Sequence, residues 1–211
     1  MKTFSPNQDG CSQFRLDAIS SSDDAISVVV KGVEYDVAKE YSSKMWSNSK
    51  RGEWGVGLAN SVRDPFRVER VGLLGEIAFA KIFGLSVDLT YRPSGDDQDF
   101  KLFNCLSVNV KTSTRNYGCG LVKVRSETGI DIPLRQDIYV FGYVDFDFPA
   151  FKTSRIVLVG CASRGKLENC PLTPALKGHH VNRRIEYGEL TSMVEFKEMV
   201  KFAEDRLMSK N

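Results

Sequence analysis

A helical segment followed by several short strand-like segments constrains the fold of this chain most. Between Val68 and Phe83 apolar residues recur at the spacing of a helix, and Gly84 is a typical residue to end one. A second amphipathic helix is predicted from Thr191 to Ser209. The pattern predicts an α/β or α+β fold in which helices flank a central mixed β-sheet. The predicted strands between the two helices are Ser86–Tyr91, Asp99–Phe103, Ser107–Thr112, Gly120–Arg125, Asp137–Phe146 and Arg155–Ala162.

The remaining segments give a simple domain organisation. Residues Met1–Asp24 are polar and rich in serine, which predicts a flexible N-terminal arm ahead of one domain spanning residues 25–211. The sequence of Ala25–Val37 favours a β-hairpin, and that of Ala38–Lys50 favours a helix. Gly165–Tyr187 contains two prolines and is predicted to be irregular.

Charge, cysteine usage and hydropathy narrow the class of protein. The 29 basic and 27 acidic side chains leave a net charge of +2, so nucleic-acid contacts would have to come from local patches. The 5 cysteines form no CxxC pair, which favours free thiols in a reducing compartment over disulfides or structural zinc. Because the sequence contains neither a run of about 18 apolar residues nor the apolar core of a signal peptide, we expect a soluble cytoplasmic protein.

The segment GDDQDFKLFNCLSVNVKTS places polar residues where a strand would be expected to be apolar. Residues two apart in a strand share a face, so Asn109 and Lys111 point one way while Val108 and Val110 point into a core. A tight turn after the preceding strand would bring Asp99 opposite Asn109. The sequence therefore predicts that an aspartate, an amide and a lysine converge at one edge of a sheet.

These residue types match the requirements of a metal-dependent phosphodiesterase. Mg²⁺ prefers hard oxygen ligands, which Asp99 and the side-chain carbonyl of Asn109 could supply. Glu76 would add a carboxylate if the predicted helix packs on this sheet. A bound Mg²⁺ or Mn²⁺ would lower the pKa of a water molecule and polarise a phosphate. Lys111 could orient that water or stabilise charge that develops on the phosphate.

Together, GEIAFAKIFG on the helix, the aspartate of QDF and NVKTS about ten residues later resemble the PD-(D/E)XK nuclease superfamily. The resemblance covers Val68 to about Phe146. It implies a restriction-endonuclease-like fold and divalent-metal-dependent cleavage of DNA. It also implies that Asp99, Asn109 and Lys111 lie at the catalytic centre, with Glu76 assisting.

The chain departs from the family pattern in three places. Gln98 replaces the proline before the aspartate, and Asn109 replaces the acidic residue of the (D/E)XK step. The loss of one carboxylate should weaken metal binding. No helix is visible between Ser113 and Arg135, where many members of the family have a crossover helix.

Basic residues cluster around the predicted site. No acidic residue lies between Phe100 and Ser126. Lysine and arginine contact phosphates, and neighbouring aromatic rings can stack on unpaired bases. The residues that we expect to contact DNA are Lys101, Arg115, Lys123 and Arg125 in this stretch, and Lys50 and Arg51 near two tryptophans.

Three classes of function stay open at this point. The first is a DNA nuclease, and the second is a DNA-binding module on the same fold in which Asn109 marks a decayed catalytic site. The third is a structural or protein-interaction domain. Taken alone, Asp99 could be an ordinary turn residue, and Lys111 could be a lysine that protects a sheet edge. A homodimer would suit an enzyme that cuts both strands, and the sequence leaves the oligomeric state open.

Overall fold

The computed structural model describes residues 24–49, 67–90, 98–175 and 180–209. The strands are β1 (Ile26–Lys31), β2 (Phe100–Leu102), β3 (Leu106–Ser113), β4 (Cys119–Arg125), β5 (Ile138–Phe148), β6 (Thr153–Ser163), β7 (Leu172–Pro174), β8 (Val181–Glu186) and β9 (Thr191–Ser192). The α-helices are α1 (Val33–Ser49), α2 (Arg67–Phe83), α3 (Arg164–Glu168) and α4 (Met193–Met208). None of the described helices is long and apolar enough to cross a membrane. The predicted N-terminal arm lies outside the described residues, apart from Asp24.

The described strands form two sheets. The larger sheet has the order β1-β6-β5-β3-β2, and β9 pairs with β6. Its β3 and β5 strands are parallel, whereas its other pairs are antiparallel. The smaller sheet has the order β4-β8-β7 and is antiparallel. The predicted class, helices flanking a mixed sheet, is therefore confirmed.

The larger sheet is covered on both faces, which explains why its central strands are apolar on both sides. One face packs on α1, α2 and α4 through a core that includes Val108, Val140 and Leu158. The opposite face carries Tyr139 and Phe141, which pack with residues of the smaller sheet and the segments around it. Adjacent residues of β5 thus enter different cores because strand side chains alternate between faces.

Most of the predicted elements are confirmed. The predicted helix at Val68–Phe83 is α2, and the C-terminal helix is α4. Five of the six predicted strands correspond to β2, β3, β4, β5 and β6. The strand predicted at Ser86–Tyr91 is wrong, because residues 85–90 have no regular structure. Val87 of this segment packs on the helical core instead, as does Leu85 just before it.

Two further predictions are wrong because distant pairing decides the structure. The hairpin predicted at Ala25–Val37 does not form, since β1 pairs with β6 and Gly32 turns the chain into α1 with φ +59°. The predicted irregular segment Gly165–Tyr187 contains most of α3 together with β7 and β8. Strand β8 forms there because β4 pairs along it.

Helix α2 lies directly against β3. A Cβ atom built on Gly75 would lie 1.7 Å from Oγ1 of Thr112, so only glycine allows this approach. Glycine inside a helix costs stability unless another element packs closely against it, and Gly75 is such a case. Gly72 differs, since no atom of the described residues lies within 4 Å of a Cβ built there. This contact places the helical turn that carries Glu76 next to the C-terminal half of β3.

A buried polar network joins α1, α2 and β5. Nη2 of Arg70 donates to Oδ2 of Asp147 at 3.2 Å, and the hydroxyl of Tyr35 donates to Oδ1 at 2.8 Å. The side chains of Arg70 and Asp147 are only 7% and 9% exposed. Because the ion pair is buried and hydrogen-bonded, it fixes the position of α2 relative to the sheet.

Candidate metal and nucleic-acid site

A tight hairpin positions the candidate site. Strands β2 and β3 pair in the register Phe100 with Val108 and Leu102 with Leu106. Phe103 and Asn104 take left-handed conformations, with φ 53° and 58°, which are uncommon outside glycine. The predicted tight turn is confirmed, and its register continues to place the residue before β2 beside Asn109.

Asp99 and Asn109 form a direct contact, as the hairpin argument predicted. The amide Nδ2 of Asn109 donates to Oδ1 of Asp99 at 3.2 Å. The backbone N–H of Val110 donates to Oδ2 of Asp99 at 2.6 Å, and the backbone N–H of Asp99 donates to the carbonyl of Val108 at 3.0 Å. The carboxylate therefore lies at the edge of β3, held by side-chain and backbone donors.

The side-chain carbonyl of Asn109 has no partner in the described structure. Asn109 is 7% exposed, and its Oδ1 is buried without a hydrogen bond. An ionised carboxylate only accepts hydrogen bonds, so the amide must turn its NH2 group to Asp99 and its oxygen away. A buried polar group without a partner costs about 1–3 kcal/mol. A cation or a hydrogen-bond donor at this oxygen would remove that cost.

Lys111 lies two residues beyond Asn109 on the same face of β3. It is exposed and forms no ion pair with the described residues. Lys101, also exposed, lies opposite Ser107 and two residues from Asp99. Lysine side chains thus flank the carboxylate along one face of the hairpin. We call Asp99, Asn109 and Lys111 the hairpin cluster.

Glu76 is half-buried on α2, in the turn that contacts β3 through Gly75. The structure thus brings α2 to the strand of the hairpin cluster, but on the face that carries Thr112, which is opposite to the face of Asn109 and Lys111. Within the described residues, no group of three or more His, Cys, Asp and Glu side chains could hold a metal. The predicted ligand set contains only two such residues, because Asn109 supplies an amide.

The tyrosine beside Asn109 is neutral. Tyr139 lies opposite Asn109 on β5, and its hydroxyl donates to Oε1 of Gln136 at 2.7 Å. Burial raises the pKa of this hydroxyl above its ordinary value, and the nearby Asp137 acts in the same direction. The side of the cluster towards β5 therefore carries no phenolate charge at neutral pH.

The predicted DNA contacts have different surroundings. Lys101 and Lys123 are exposed, and the guanidinium of Arg115 lies 4.8 Å above the ring of Tyr117. Arg125 instead forms an ion pair with Asp131, with Nε 2.7 Å from Oδ1. Residues 100–126 include no acidic residue, but an acidic side chain still lies beside them in the folded chain, because the turn after β4 brings Asp131 back to that strand.

Two other predicted DNA contacts, Lys50 and Arg51, lie outside the described residues. The predicted DNA contacts within the described residues belong to β2, β4 and the loop between β3 and β4. Tyr187, which follows β8, lies beside the end of β3, because it forms a hydrogen bond with the Ser113 hydroxyl and its ring stacks on Tyr143 with centroids 6.4 Å apart. Burial raises the pKa of Tyr187 to about 12.

The sequence argument missed two groups that the structure brings together. One is the buried network of Tyr35, Arg70 and Asp147, whose members are separated by 112 and 77 positions. The other is a pocket beside Arg183, between β4 and β8. The only local signal for the Tyr35–Arg70–Asp147 network was the position of Arg70 within the apolar helix α2. The second had no local signal beyond a cluster of basic residues.

Comparisons with protein-family models, with curated proteins and with solved structures found no match to this chain.

Proposed function

We propose that the chain is a divalent-metal-dependent deoxyribonuclease on a restriction-endonuclease-like fold. The observation that carries the proposal is the contact between Asp99 and Asn109, in which a buried amide oxygen has no partner. The exposed ammonium group of Lys111 lies on the same face of the strand. This combination of oxygen ligands and a nearby cation suits a phosphate ester, and it agrees with the resemblance to the PD-(D/E)XK pattern.

The donor chemistry of the hairpin cluster fits Mg²⁺ or Mn²⁺. Asp99 accepts hydrogen bonds from Asn109 and Val110 through its two carboxylate oxygens, and carboxylate oxygens are preferred ligands of these ions. The Oδ1 atom of Asn109 is a neutral oxygen of the kind that both ions accept. Asp99 and Asn109 would hold the ion. Glu76 is not part of this proposed ligand set, because α2 packs on the Thr112 face of β3, opposite to the face of Asn109.

The chain would contribute binding, orientation and charge to the reaction. A bound Mg²⁺ would supply the Lewis acidity that polarises a phosphate and makes a water molecule more acidic. The Nζ atom of Lys111 would donate hydrogen bonds to a phosphate oxygen or to the attacking water, and its positive charge would stabilise the charge that develops. The Val110 N–H would keep the carboxylate of Asp99 oriented throughout.

Asn109 gives this site a smaller negative charge than a second carboxylate would. We therefore expect metal binding to be weak in the free protein and stronger when a DNA phosphate supplies further oxygen ligands. Lys101, Arg115 and Lys123 would hold the DNA backbone, because their cations are exposed on β2, on the loop after β3 and on β4. Arg125 is expected to contribute less, since Asp131 already neutralises it.

The test is metal-dependent cleavage of linear, nicked and single-stranded DNA with variants of the hairpin. Asp99→Ala and Lys111→Ala should each lower kcat at least about a hundredfold, the size typical of lost transition-state stabilisation. The matched control is Lys101→Ala, which removes a lysine from the same face but from the neighbouring strand. It should raise KM and leave kcat nearly unchanged. Equal kcat values for the wild type and both site variants would overturn the proposal.

A second function is favoured by the same contact. The amide of Asn109 occupies one oxygen of Asp99, as expected of a site that has lost its catalytic acid and keeps only DNA binding. This DNA-binding module would retain DNA at low salt in a gel-shift assay and would show no cleavage with Mg²⁺ or Mn²⁺. Cleavage that disappears in Lys111→Ala would reject it in favour of the nuclease.

A further inference from the structure

A pocket of about 320 Å³ lies on the smaller sheet, away from the hairpin cluster. It is bounded by the end of β4, the segment 131–134, the end of α3, and strands β7 and β8. Its volume falls at the lower end of the range for small-molecule sites, which is about 300–1,000 Å³. The apolar side chains of its wall are Val124, Ile132, Pro133, Leu134, Leu172 and Val181.

Arg183 is the polar group that distinguishes this pocket. Its side chain is partly buried, and Nη1 donates to the carbonyl of Cys170 at 2.6 Å. No acidic side chain of the described structure forms an ion pair with it. A guanidinium has five N–H donors, and the bond to Cys170 uses one of them. The remaining donors can bind an anion as a bidentate fork.

The other charged groups of the pocket leave Arg183 as its available cation. Arg125 and Asp131 neutralise each other through their ion pair at 2.7 Å. Glu168, at the end of α3, is exposed, so water screens its charge. A ligand that combines a negative head group with an apolar body would therefore match both parts of the wall.

We propose that this pocket binds a small organic anion, whose phosphate or carboxylate group pairs with Arg183 and whose apolar part packs on Ile132, Pro133 and Leu172. The proposal is independent of the nuclease activity, since it concerns a different sheet and binding alone. A free nucleotide and a small aromatic acid share this chemistry, and the choice of probes separates them.

The strand offers a matched control for the arginine. Arg184 is the next residue of β8, points to the other face and pairs with Glu186, with Nε 2.7 Å from Oε1. Arg183→Gln and Arg184→Gln therefore remove the same charge from adjacent positions, and only the first removes it from the pocket. Ile132→Trp is a second pocket variant, which fills the cavity from its more exposed wall and leaves Arg183 intact.

The experiment is a ligand-observed NMR titration of the full chain. The probes are deoxyadenosine monophosphate with deoxyadenosine as its neutral counterpart, and phenylacetate with 2-phenylethanol. We expect at least one anion to bind, and its neutral counterpart to bind at least about ten times more weakly. Arg183→Gln should weaken that binding by about ten- to a hundredfold, as expected for lost hydrogen bonds to a charged group. Arg184→Gln should stay within about twofold of the wild type.

Each result decides the proposal. Selective binding of the nucleotide identifies phosphate as the head group, and selective binding of phenylacetate identifies carboxylate. If Arg183→Gln fails to fold, loss of binding in Ile132→Trp supports the pocket and unchanged binding rejects it. Absence of binding by all probes at millimolar concentration overturns the proposal, as does equal binding by the anions and their neutral counterparts.

Discussion

Replacing Asn109 with aspartate would place two carboxylates in contact, with an acid at the position where the PD-(D/E)XK pattern has one. Nδ2 of Asn109 is now 3.2 Å from Oδ1 of Asp99. In Asn109→Asp an oxygen takes the place of that nitrogen, so a hydrogen bond to a charged group becomes a repulsion between like charges. The site is buried, since Asn109 is 7% exposed, and water can relieve little of this repulsion.

The size of the effect follows from the distance. Two unit charges 3.2 Å apart repel by about 5 kcal/mol at an effective dielectric constant of about 20. The pair can escape part of this cost by sharing one proton, so we expect Asn109→Asp to lose about 2–4 kcal/mol of stability at pH 7. For a chain of this size that loss corresponds to a fall in Tm of roughly 5–15 °C.

The assay is thermal unfolding of Asn109→Asp and of the control Asn109→Ala, with and without Mn²⁺, from pH 4 to pH 8. Proton sharing raises the folded-state pKa of the carboxylate pair, so the loss of stability should shrink as the pH falls towards the ordinary pKa of aspartate, about 4. Mn²⁺ should restore much of the Tm of Asn109→Asp and should leave the alanine control nearly unchanged. A variant as stable as the wild type, with no response to pH or Mn²⁺, would refute this reasoning.

Three further substitutions test the packing and polar contacts around the candidate site. Gly75→Ala should cost about 1–3 kcal/mol in chemical denaturation, because its Cβ would lie 1.7 Å from a side-chain oxygen of β3, whereas Gly72→Ala in the same helix should be neutral or slightly stabilising. Arg70→Ala should lower the free energy of unfolding by about 3–5 kcal/mol, since it leaves Asp147 buried without its cation. The double variant Arg70→Met with Asp147→Leu should lower it less. Equal losses in the two variants would argue against the network. Burial raises the pKa of Tyr187 to about 12, so its hydroxyl contributes stability that is complete below pH 10 and is lost between about pH 10 and 12. In denaturation measured against pH, the free energy of unfolding of Tyr187→Phe should therefore fall less over this window than that of the wild type.

Local sequence patterns predicted the hairpin cluster well because its geometry is local. The alternation along β3 placed Asn109 and Lys111 on one face, and a tight turn of a few residues then fixed Asp99 opposite Asn109. Helix α2 was predictable for the same reason, since its apolar spacing and the glycine after it lie within one continuous segment. The approach of Gly75 to β3 was also predictable, because an interior glycine is costly unless something packs against it.

The failures come from contacts between distant parts of the chain. The β1 strand found its partner in β6, more than a hundred residues away, so the hairpin suggested by the local pattern did not form. Arg125 looked like a free cation because its partner, Asp131, lies beyond the acid-free stretch. The pocket beside Arg183 forms only when five separate segments come together, and no spacing in the sequence indicates that they meet.

Binding of Mn²⁺ to the hairpin cluster is the most direct test of the central claim. We would titrate Mn²⁺ by calorimetry into the wild type, into Asp99→Ala and into the control Asp131→Ala, each alone and with a DNA that resists cleavage. The account predicts binding to the wild type that DNA strengthens, the same binding to Asp131→Ala, and none to Asp99→Ala. Equal binding by the wild type and Asp99→Ala, or no binding to the wild type even with DNA, would contradict a metal site at this hairpin.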